Sequence, residues 1–264
     1  MLNFGLVGPG NLAQSLVPAL QNHGKVLQVF SRDPLRAKKF AEKFGVPLHG
    51  ADYSELSPFV DVLFLAIRDD ALRAAAAALK SVIAGGDTIV VHCSGAAPLS
   101  ELDDLGKRIG VFYPLQTFSS SRTVDFSRIP IFLEGDKSVL DVLLPLARSM
   151  SSEVFVADFS SRLKIHLGGV FVNNFVNYFV RCAETLASDL ASDHKIYLPL
   201  LRETVDKLNC LSPTEAQTGP ARRGDRETIV KHSTLLQKSD PELAEVYRIL
   251  SRRIEALYRV HEGA

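Results

Sequence analysis

The residues most able to do chemistry begin in a glycine-rich turn near the N-terminus. Gly8-Pro9-Gly10-Asn11-Leu12-Ala13 directly follows the apolar segment Leu2–Val7 and opens an amphipathic one. A strand, a G-x-G-x-x-A turn and a helix form the dinucleotide fingerprint, in which the second glycine lets a pyrophosphate approach the helix N-terminus. We therefore predict cofactor contacts at Gly8, Gly10, Asn11 and Leu12. The alternative is a strand–turn–helix that binds no ligand.

The end of the second strand selects the cofactor. Ser31-Arg32 stands 23 residues after Gly8, where an NAD site usually has Asp or Glu to bind the ribose 2′-hydroxyl. A serine hydroxyl and an arginine fork suit a 2′-phosphate instead. We predict NADP in preference to NAD, with contacts from Ser31 and Arg32. The alternative is a solvated arginine beside Asp33, which merely caps the next helix.

The ends of the later strands should surround the nicotinamide, because ligands of open α/β sheets bind beyond the carboxyl ends of the strands. These ends are Ala66-Ile67-Arg68-Asp69, His92-Cys93-Ser94-Gly95 and Tyr113-Pro114-Leu115-Gln116-Thr117. Ala66 and Ile67 are predicted cofactor contacts. The alternative role of Asp69 is to cap a helix. The alternative role of His92 is to pack within the strand.

Two features of the second half carry polar groups. Arg162, His166, Asn173, Asn177 and Arg181 recur at offsets of 4, 7, 4 and 4, within one broad face of an otherwise apolar helix. Buried imidazoles and amides need partners, which a substrate cleft or a structural network can supply. The segment Thr218–Asp225 is a glycine- and proline-bearing loop whose arginines suit an anionic group. Its alternative is an ordinary turn with solvated arginines.

The elements that must position these residues alternate in the first half and are helical in the second. Predicted strands are Leu2–Val7, Val26–Phe30, Val62–Ile67, Thr88–His92, Ile109–Tyr113, Ile129–Leu133 and Glu153–Val156. Predicted helices are Asn11–Asn22, Pro34–Phe44, Asp70–Ile83, Ser160–Asp189, Ile196–Leu208, Asp225–Gln237 and Pro241–Val260. Continuous apolar strands suit a parallel sheet buried on both faces. We predict an α/β doubly wound Rossmann-type domain over 1–157 and an all-α domain over 158–264.

Composition excludes several classes of protein. The 264 residues carry 30 basic and 30 acidic side chains, so no bulk charge points to nucleic acid. The three cysteines are widely spaced, which predicts no metal site and a reducing, cytoplasmic location. The most apolar run, 165–180, contains three asparagines, so we predict no membrane span.

The chain resembles oxidoreductases that join an N-terminal Rossmann-like domain to a C-terminal helical domain of unknown function. The matching pieces are Gly8–Ala13, His92-x-Ser94-Gly95, Pro114–Phe118, the pair His166 and Asn174, and Thr218–Asp225. This family is grouped with the 6-phosphogluconate dehydrogenase C-terminal-like superfamily. More distant similarity extends to pyrroline-5-carboxylate reductase and deazaflavin-dependent NADP oxidoreductases.

The sequence departs from the family pattern at three places. Tyr113 stands where histidine is usual, and Arg68 where proline is common. The lysine–asparagine pair of hydroxyacid dehydrogenases is absent, because Gly168 follows Lys164 by four residues. This last departure argues against 3-hydroxyacid chemistry.

The prediction is an NADP-dependent oxidoreductase that moves a hydride between nicotinamide and a small polar substrate. A homodimer through the helical domain is expected, because so apolar a helix needs cover. The resemblance selects Asn174, whereas straight helical geometry stacks Asn173 on His166. The alternative function is a non-catalytic NADP-binding regulatory or assembly protein. Predicted catalytic residues are His166, Asn174 and Ser94, and predicted substrate contacts are Tyr113, Gln116, Arg223 and Asp225.

Overall fold

A computed structural model describes residues 1–57, 59–83, 85–122, 124–189 and 193–259. Contacts divide the chain into two compact units, Met1–Tyr178 and Phe179–Ala264. The first unit contains the sheet and the helices that cover it, and the regular elements described in the second unit are all helices. Within the described residues, no helix has the length and apolarity needed to cross a bilayer.

The first unit is built on one eight-stranded sheet. The strands are β1 Leu2–Val7, β2 Gly24–Phe30, β3 Leu48–Gly50, β4 Val62–Leu65, β5 Ile89–His92, β6 Ile109–Pro114, β7 Ile131–Gly135 and β8 Val154–Val156. Their order is β3-β2-β1-β4-β5-β6-β7-β8, and all neighbours are parallel except β6 and β7. The first six strands follow the order of the dinucleotide-binding fold. The predicted Rossmann-type fold is confirmed.

Helices flank the sheet and fill the second unit. They are α1 Asn11–Gln21, α2 Pro34–Phe44, α3 Leu72–Ile83, α4 Lys137–Met150, α5 Phe159–Gly169, α6 Val176–Leu186, α7 Leu198–Lys207, α8 Pro213–Ala216, α9 Pro220–Arg223, α10 Arg226–Ser239 and α11 Pro241–Arg259. Asp33 caps α2 by accepting from two N–H groups of its first turn, and Gly45 ends it at φ 65°.

Three aromatic side chains form the centre of one core layer. Phe4, Phe64 and Phe112 stand on neighbouring or next-neighbouring parallel strands and are fully buried. Their rings meet edge to face, with centroids 6.1 Å and 5.4 Å apart. Both faces of the central strands are buried, as their continuous apolar sequences predict. This rigid sheet fixes where each strand end lies.

The structure adds elements that the sequence patterns did not indicate. β3 has only three residues, and Pro145 interrupts the apolar pattern of α4. β7 begins two residues later than predicted and runs antiparallel to β6, which a reading of alternating strands and helices does not anticipate.

The predicted long helix is helical from Phe159 to Leu186, but a π-helical segment, Val170–Phe175, separates α5 from α6. Several of its apolar side chains are exposed in the single chain, Val172 at 75%. The cover expected for this face is therefore not supplied by the described residues, and the homodimer stays a prediction. The first compact unit extends to Tyr178, and within it Arg162 of α5 pairs with Glu134 of β7. The domains over 1–157 and 158–264 stay a prediction.

Candidate functional site

The turn after β1 requires glycine at its first position. Gly8 has φ 97°, and a Cβ there would lie 2.5 Å from the Ala66 carbonyl oxygen and 2.6 Å from Cγ2 of Ile67. The Gly8 N–H donates to the Phe30 carbonyl at 2.8 Å, which ties the turn to the end of β2. Gly8 is therefore demanded by the chain itself, whether or not a ligand binds.

Gly10 is different, because the chain leaves space above it. Its backbone is extended, at φ −86° and ψ −166°, and the nearest atom to a Cβ would be the Ala66 carbonyl oxygen at 3.8 Å. No side chain among the described residues caps the N-terminus of α1, which begins at Asn11. An open cradle above a helix N-terminus fits the pyrophosphate of a dinucleotide.

A cleft of about 850 Å³ begins at this turn. The predicted contacts Ser31, Arg32, Ala66 and Ile67 all line it together with Gly8 and Gly10. Three further lining residues, absent from the predicted set, are Arg36, Tyr53 and Arg68. Arg36 lies in the first turn of α2, where the pattern Ser-Arg-x-x-x-Arg could have indicated a second cation for the same phosphate.

Tyr53 and Arg32 approach each other in the cleft. Burial raises the pKa of Tyr53, and the positive charge of Arg32 opposes this rise. Asp52 holds the short turn that carries Tyr53 by accepting from the Ser54 N–H at 2.9 Å. The cleft therefore has an aromatic wall beside two exposed guanidinium groups, which suits an adenine with a phosphorylated ribose.

The other predicted site residues of the first unit stand along the same edge of the sheet. β1, β4, β5 and β6 are successive parallel neighbours, so their carboxyl ends share one edge. Neighbouring strands are about 4.8 Å apart, so the end of β6 lies about 14 Å along the edge from the Gly8 turn. This distance is similar to the length of the nicotinamide half of a dinucleotide.

At the end of β6, Tyr113 meets His166 of α5. The Tyr113 Oη lies 3.0 Å from His166 Nδ1, and the two rings pack edge to face with centroids 5.9 Å apart. Gly95 makes room for both, because a Cβ there would lie 2.6 Å from Tyr113 Cζ and 2.7 Å from His166 Nδ1. Three separate segments thus converge at one point.

The hydroxyl of Tyr113 is the hydrogen-bond partner of Nδ1 of His166. Burial raises the pKa of Tyr113 to about 12, although the nearby Arg162 charge opposes the rise. The hydroxyl therefore keeps its proton at neutral pH, and it either donates that proton to Nδ1 or accepts from an Nδ1–H, depending on the tautomer of the ring. With Tyr113 as the donor, the ring accepts at Nδ1 and carries its hydrogen on Nε2, which is then the donor that His166 offers.

Ser94 and Gln116 each make bonds within their own loops. The Ser94 Oγ accepts from the N–H groups of Ala96 at 3.0 Å and Ala97 at 2.9 Å, which leaves its hydrogen available to donate. The exposed Gln116 accepts the Thr117 N–H through Oε1 at 2.8 Å. Ser94 adjoins the Gly95 contact with His166, whereas no described contact joins Gln116 to that pair.

The π-helical segment changes which asparagine accompanies His166. A π turn closes i→i+5 hydrogen bonds and so contains one more residue than an α turn. His166 and Asn174 are eight residues apart, which this extra residue makes equivalent to seven α-helical positions, or about two turns. Asn174, rather than Asn173, therefore falls on the side of the helix that carries His166. The straight-helix count that selects Asn173 assumes an unbroken α-helix, and the approach of Asn174 to a substrate stays a prediction.

His92 is a buried packing residue. It has no exposed surface, and its Nδ1 accepts the Ser94 N–H at 3.2 Å. Its Nε2 has no partner of good hydrogen-bond geometry among the described residues. Burial and the charge of Arg162 lower the pKa of His92 to about 3, a fall that the Pro98 backbone only partly opposes. The imidazole is therefore neutral in the folded protein at every ordinary pH.

We expect His92 to make the fold sensitive to acid. Between pH 6.5 and about 3 the unfolded chain binds a proton at His92 and the folded chain does not, so stability falls as pH falls. This group contributes at most about 1.4 kcal/mol per pH unit. His92→Asn keeps an acceptor for the Ser94 N–H and should flatten that slope in urea unfolding from pH 7 to 4. An unchanged slope would mean that His92 is already protonated in the fold.

The Thr218–Asp225 segment, predicted as a loop, lies in the second unit and contains the one-turn helix α9, Pro220–Arg223. Gly219 and Gly224 adopt φ 101° and 66°, and Asp225 caps α10 by accepting from Thr228 N at 3.1 Å. Arg222 packs over the Tyr258 ring at 5.0 Å, whereas Arg223 is exposed. Arg222 and Asp225 therefore shape the loop. The expected approach of Arg223 and Asp225 to a substrate stays a prediction.

Comparison with known proteins assigns the fold to a class. Residues 3–94 match a family model described as coenzyme F420-dependent NADP oxidoreductase, and residues 129–254 match a domain of unknown function, DUF2520. The structure of a Bacteroides fragilis protein, named "putative NADP oxidoreductase", is 34% identical over 97% of this chain and 98% of its own, with a TM-score of 0.85. The molecule has the fold of the NAD(P)-dependent oxidoreductases. The chain belongs to the family that joins this NADP oxidoreductase domain to DUF2520.

More distant structures share the fold. Protein TM1727 of Thermotoga maritima is 20% identical, with a TM-score of 0.76 over 98% of this chain and 99% of its own. A pyrroline-5-carboxylate reductase of Coxiella burnetii is 19% identical, with a TM-score of 0.59 over 96% and 98%. No curated protein matches the sequence. The predicted resemblance to oxidoreductases with a Rossmann-like domain and a helical domain of unknown function is confirmed, whereas the grouping with the 6-phosphogluconate dehydrogenase C-terminal-like superfamily stays a prediction. The family indicates a nicotinamide or F420-type dinucleotide cofactor.

Proposed function

We propose that this chain is an NADP-dependent oxidoreductase that transfers a hydride between nicotinamide and a small polar carbonyl or imine compound. The observation that carries the proposal is the 3.0 Å contact of Tyr113 with His166, on the sheet edge that begins at the Gly8 turn. Hydride transfer to carbon needs a proton donor for the neighbouring oxygen or nitrogen, and an imidazole held by a hydroxyl suits that task.

The bound nicotinamide supplies or accepts the hydride. The chain itself contributes the proton and the orientation of the substrate. Tyr113 donates to Nδ1 of His166, so Nδ1 takes the hydroxyl proton as Nε2 gives its hydrogen to the substrate oxygen or nitrogen, and the ring stays neutral. Tyr113 is left as a phenolate, which solvent reprotonates after product release. Ser94 retains a hydroxyl hydrogen after accepting two backbone N–H groups, and it would donate to the same substrate atom. Asn174 would orient the substrate from the side of the helix that His166 shares.

The same polar groups favour an enzyme over a non-catalytic NADP-binding protein. A sensor of the cofactor can leave the wall beside the nicotinamide apolar. Here an imidazole, a phenol and a serine loop converge around Gly95, and that glycine leaves room for no side chain of its own. The position of Gly95 therefore has to stay without a side chain for Tyr113 and His166 to meet, and this requirement supports catalysis.

The adenosine end should discriminate NADPH from NADH. Arg32 and Arg36 line the cleft beside Ser31, and each charge-assisted contact to a 2′-phosphate contributes about 1–3 kcal/mol. We expect Arg32→Ala and Arg36→Ala each to weaken NADPH by about 10-fold or more and to leave NADH nearly unchanged. Titration calorimetry with both nucleotides measures this.

Arg68→Ala is the matched control for the two arginines. Arg68 lines the same cleft but pairs with Asp70 at 2.7 Å, so its guanidinium is already engaged. Its removal should change neither affinity much. Equal affinities of the wild type for NADPH and NADH would refute the assignment of NADP.

The reaction itself is tested with NADPH and a panel of aldehydes, ketones and imines. Coenzyme F420 is included because the family model that matches residues 3–94 carries it in its description. Consumption of NADPH by one class, lost in His166→Gln, is the expected result. Tight NADPH binding with no turnover across the panel would favour the regulatory alternative.

A further inference from the structure

A fully buried arginine stands beside the site, and the proposed chemistry does not use it. The Arg162 side chain has no exposed surface and lies on α5, one turn before His166. Burying a guanidinium is unfavourable unless hydrogen bonds and an opposite charge compensate it. The hydrogen-bond partners of Arg162 therefore indicate which parts of the fold its burial holds together.

The guanidinium of Arg162 makes three bonds in three directions. Nη1 donates to Oε2 of Glu134 on β7 at 2.5 Å, and Nη2 donates to the Ala97 carbonyl at 2.5 Å. Nε donates to the Ser94 carbonyl at 3.3 Å. One side chain thus ties the loop of residues 94–97, at the end of β5, to α5 and to the antiparallel part of the sheet.

The loop of residues 94–97 is held together by its own hydrogen bonds and contacts both Tyr113 and His166. Ser94 Oγ accepts the N–H groups of Ala96 and Ala97, which closes the loop on itself. Gly95, between the two carbonyls that Arg162 holds, lies against the rings of Tyr113 and His166. A shift of the loop relative to α5 would therefore change the packing against both rings.

We propose that Arg162 is a positioning residue, whose guanidinium fixes the 94–97 loop against α5 and thereby holds His166 with Nδ1 facing Tyr113. Its importance for turnover rests on the proposed function, but its effect on the His166 ring does not. A lysine cannot replace it, because a single ammonium cannot span two carbonyls and a carboxylate with the geometry of a planar fork.

The test is the tautomer of His166, measured by nitrogen NMR of the imidazole in Arg162→Lys and assigned by the signals lost in His166→Gln. The wild type should show a single form with hydrogen on Nε2. In Arg162→Lys the second tautomer should appear, turnover should fall about 100-fold, and NADPH affinity should stay within about twofold. A folded Arg162→Lys protein with an unchanged His166 tautomer overturns the proposal.

Two further variants complete the test. Arg222 also donates to two backbone carbonyls, those of Glu215 and Gln217, so Arg222→Lys is a control that should leave His166 unchanged. Should Arg162→Lys not fold, Glu134→Gln decides, because loss of the anion loosens the guanidinium. A smaller amount of the second tautomer is then expected, and its absence overturns the proposal. If no compound is turned over, the proposed function fails while the tautomer still reports on Arg162.

Discussion

His166→Gln is expected to lower hydride transfer about 10²–10⁴-fold, the usual contribution of a positioned acid or base. NADPH affinity should stay within about twofold, because the adenosine and pyrophosphate contacts lie on other elements of the first unit. The physical reason is the loss of the Nε2 hydrogen that Tyr113 fixes in place. Single-turnover measurement of NADPH oxidation separates this effect from binding and product release.

Two variants calibrate that result. Tyr113→Phe removes only the hydroxyl and keeps the ring against Phe132, so we expect a smaller loss, about tenfold for one hydrogen bond. His232 of α10 contacts the Tyr247 hydroxyl at 2.9 Å in the second unit, where no dinucleotide turn is present among the described residues. His232→Gln should leave the rate unchanged. If His166→Gln retained the full rate, His166 would be a packing residue.

Gly10→Val is expected to weaken NADPH at least about 100-fold, or about 2.7 kcal/mol, with little change in melting temperature. Gly10 has extended backbone that any residue adopts, and the nearest described atom beyond its chain neighbours would lie 3.8 Å from a Cβ there. The Cβ therefore makes only ordinary van der Waals contact, and the two methyl groups beyond it enter the space where the pyrophosphate would lie. Calorimetric titration and thermal unfolding of one preparation measure both quantities.

Two other glycines give the contrast that interprets Gly10→Val. Among the described residues, apart from the backbone of its own helix, no atom would lie within 4 Å of a Cβ on Gly168 of α5, so Gly168→Ala should leave NADPH affinity unchanged and stabilise the helix slightly. Gly8→Ala should destabilise the fold, because its Cβ would lie 2.5 Å from a carbonyl oxygen at φ 97°. A Gly10→Val protein with wild-type affinity would show that the dinucleotide does not cross this turn.

The turn and the sheet could be predicted because their signals are local. Gly8 and Gly10 follow an apolar strand directly, and Ser31 and Arg32 end the next strand, so spacing alone places them in one cleft. Arg36 was not predicted, because an arginine in the first turn of an exposed helix is typical of a solvated residue unless a phosphate site is already known nearby. β3 escaped because three residues are too few for a recognisable pattern.

The contact between Tyr113 and His166 could not be predicted from the sequence. Tyr113 and His166 are 53 residues apart, and only the packing of α5 on the sheet brings them within 3.0 Å. The burial of Arg162 follows from the same packing of α5 on the sheet, and the periodicity of the sequence does not predict that packing. The orientation of Asn174 depends on a π-helical segment, Val170–Phe175, whereas an α-helical count places Asn173 on the His166 face.

The most direct test of the account is a crystal structure of the chain with NADP⁺. We expect the 2′-phosphate between Arg32 and Arg36, the pyrophosphate over Gly10, and the nicotinamide ring next to His166. That geometry would place the reacting carbon beside the Nε2 hydrogen. A nucleotide bound elsewhere, or one whose nicotinamide points away from His166, would contradict it.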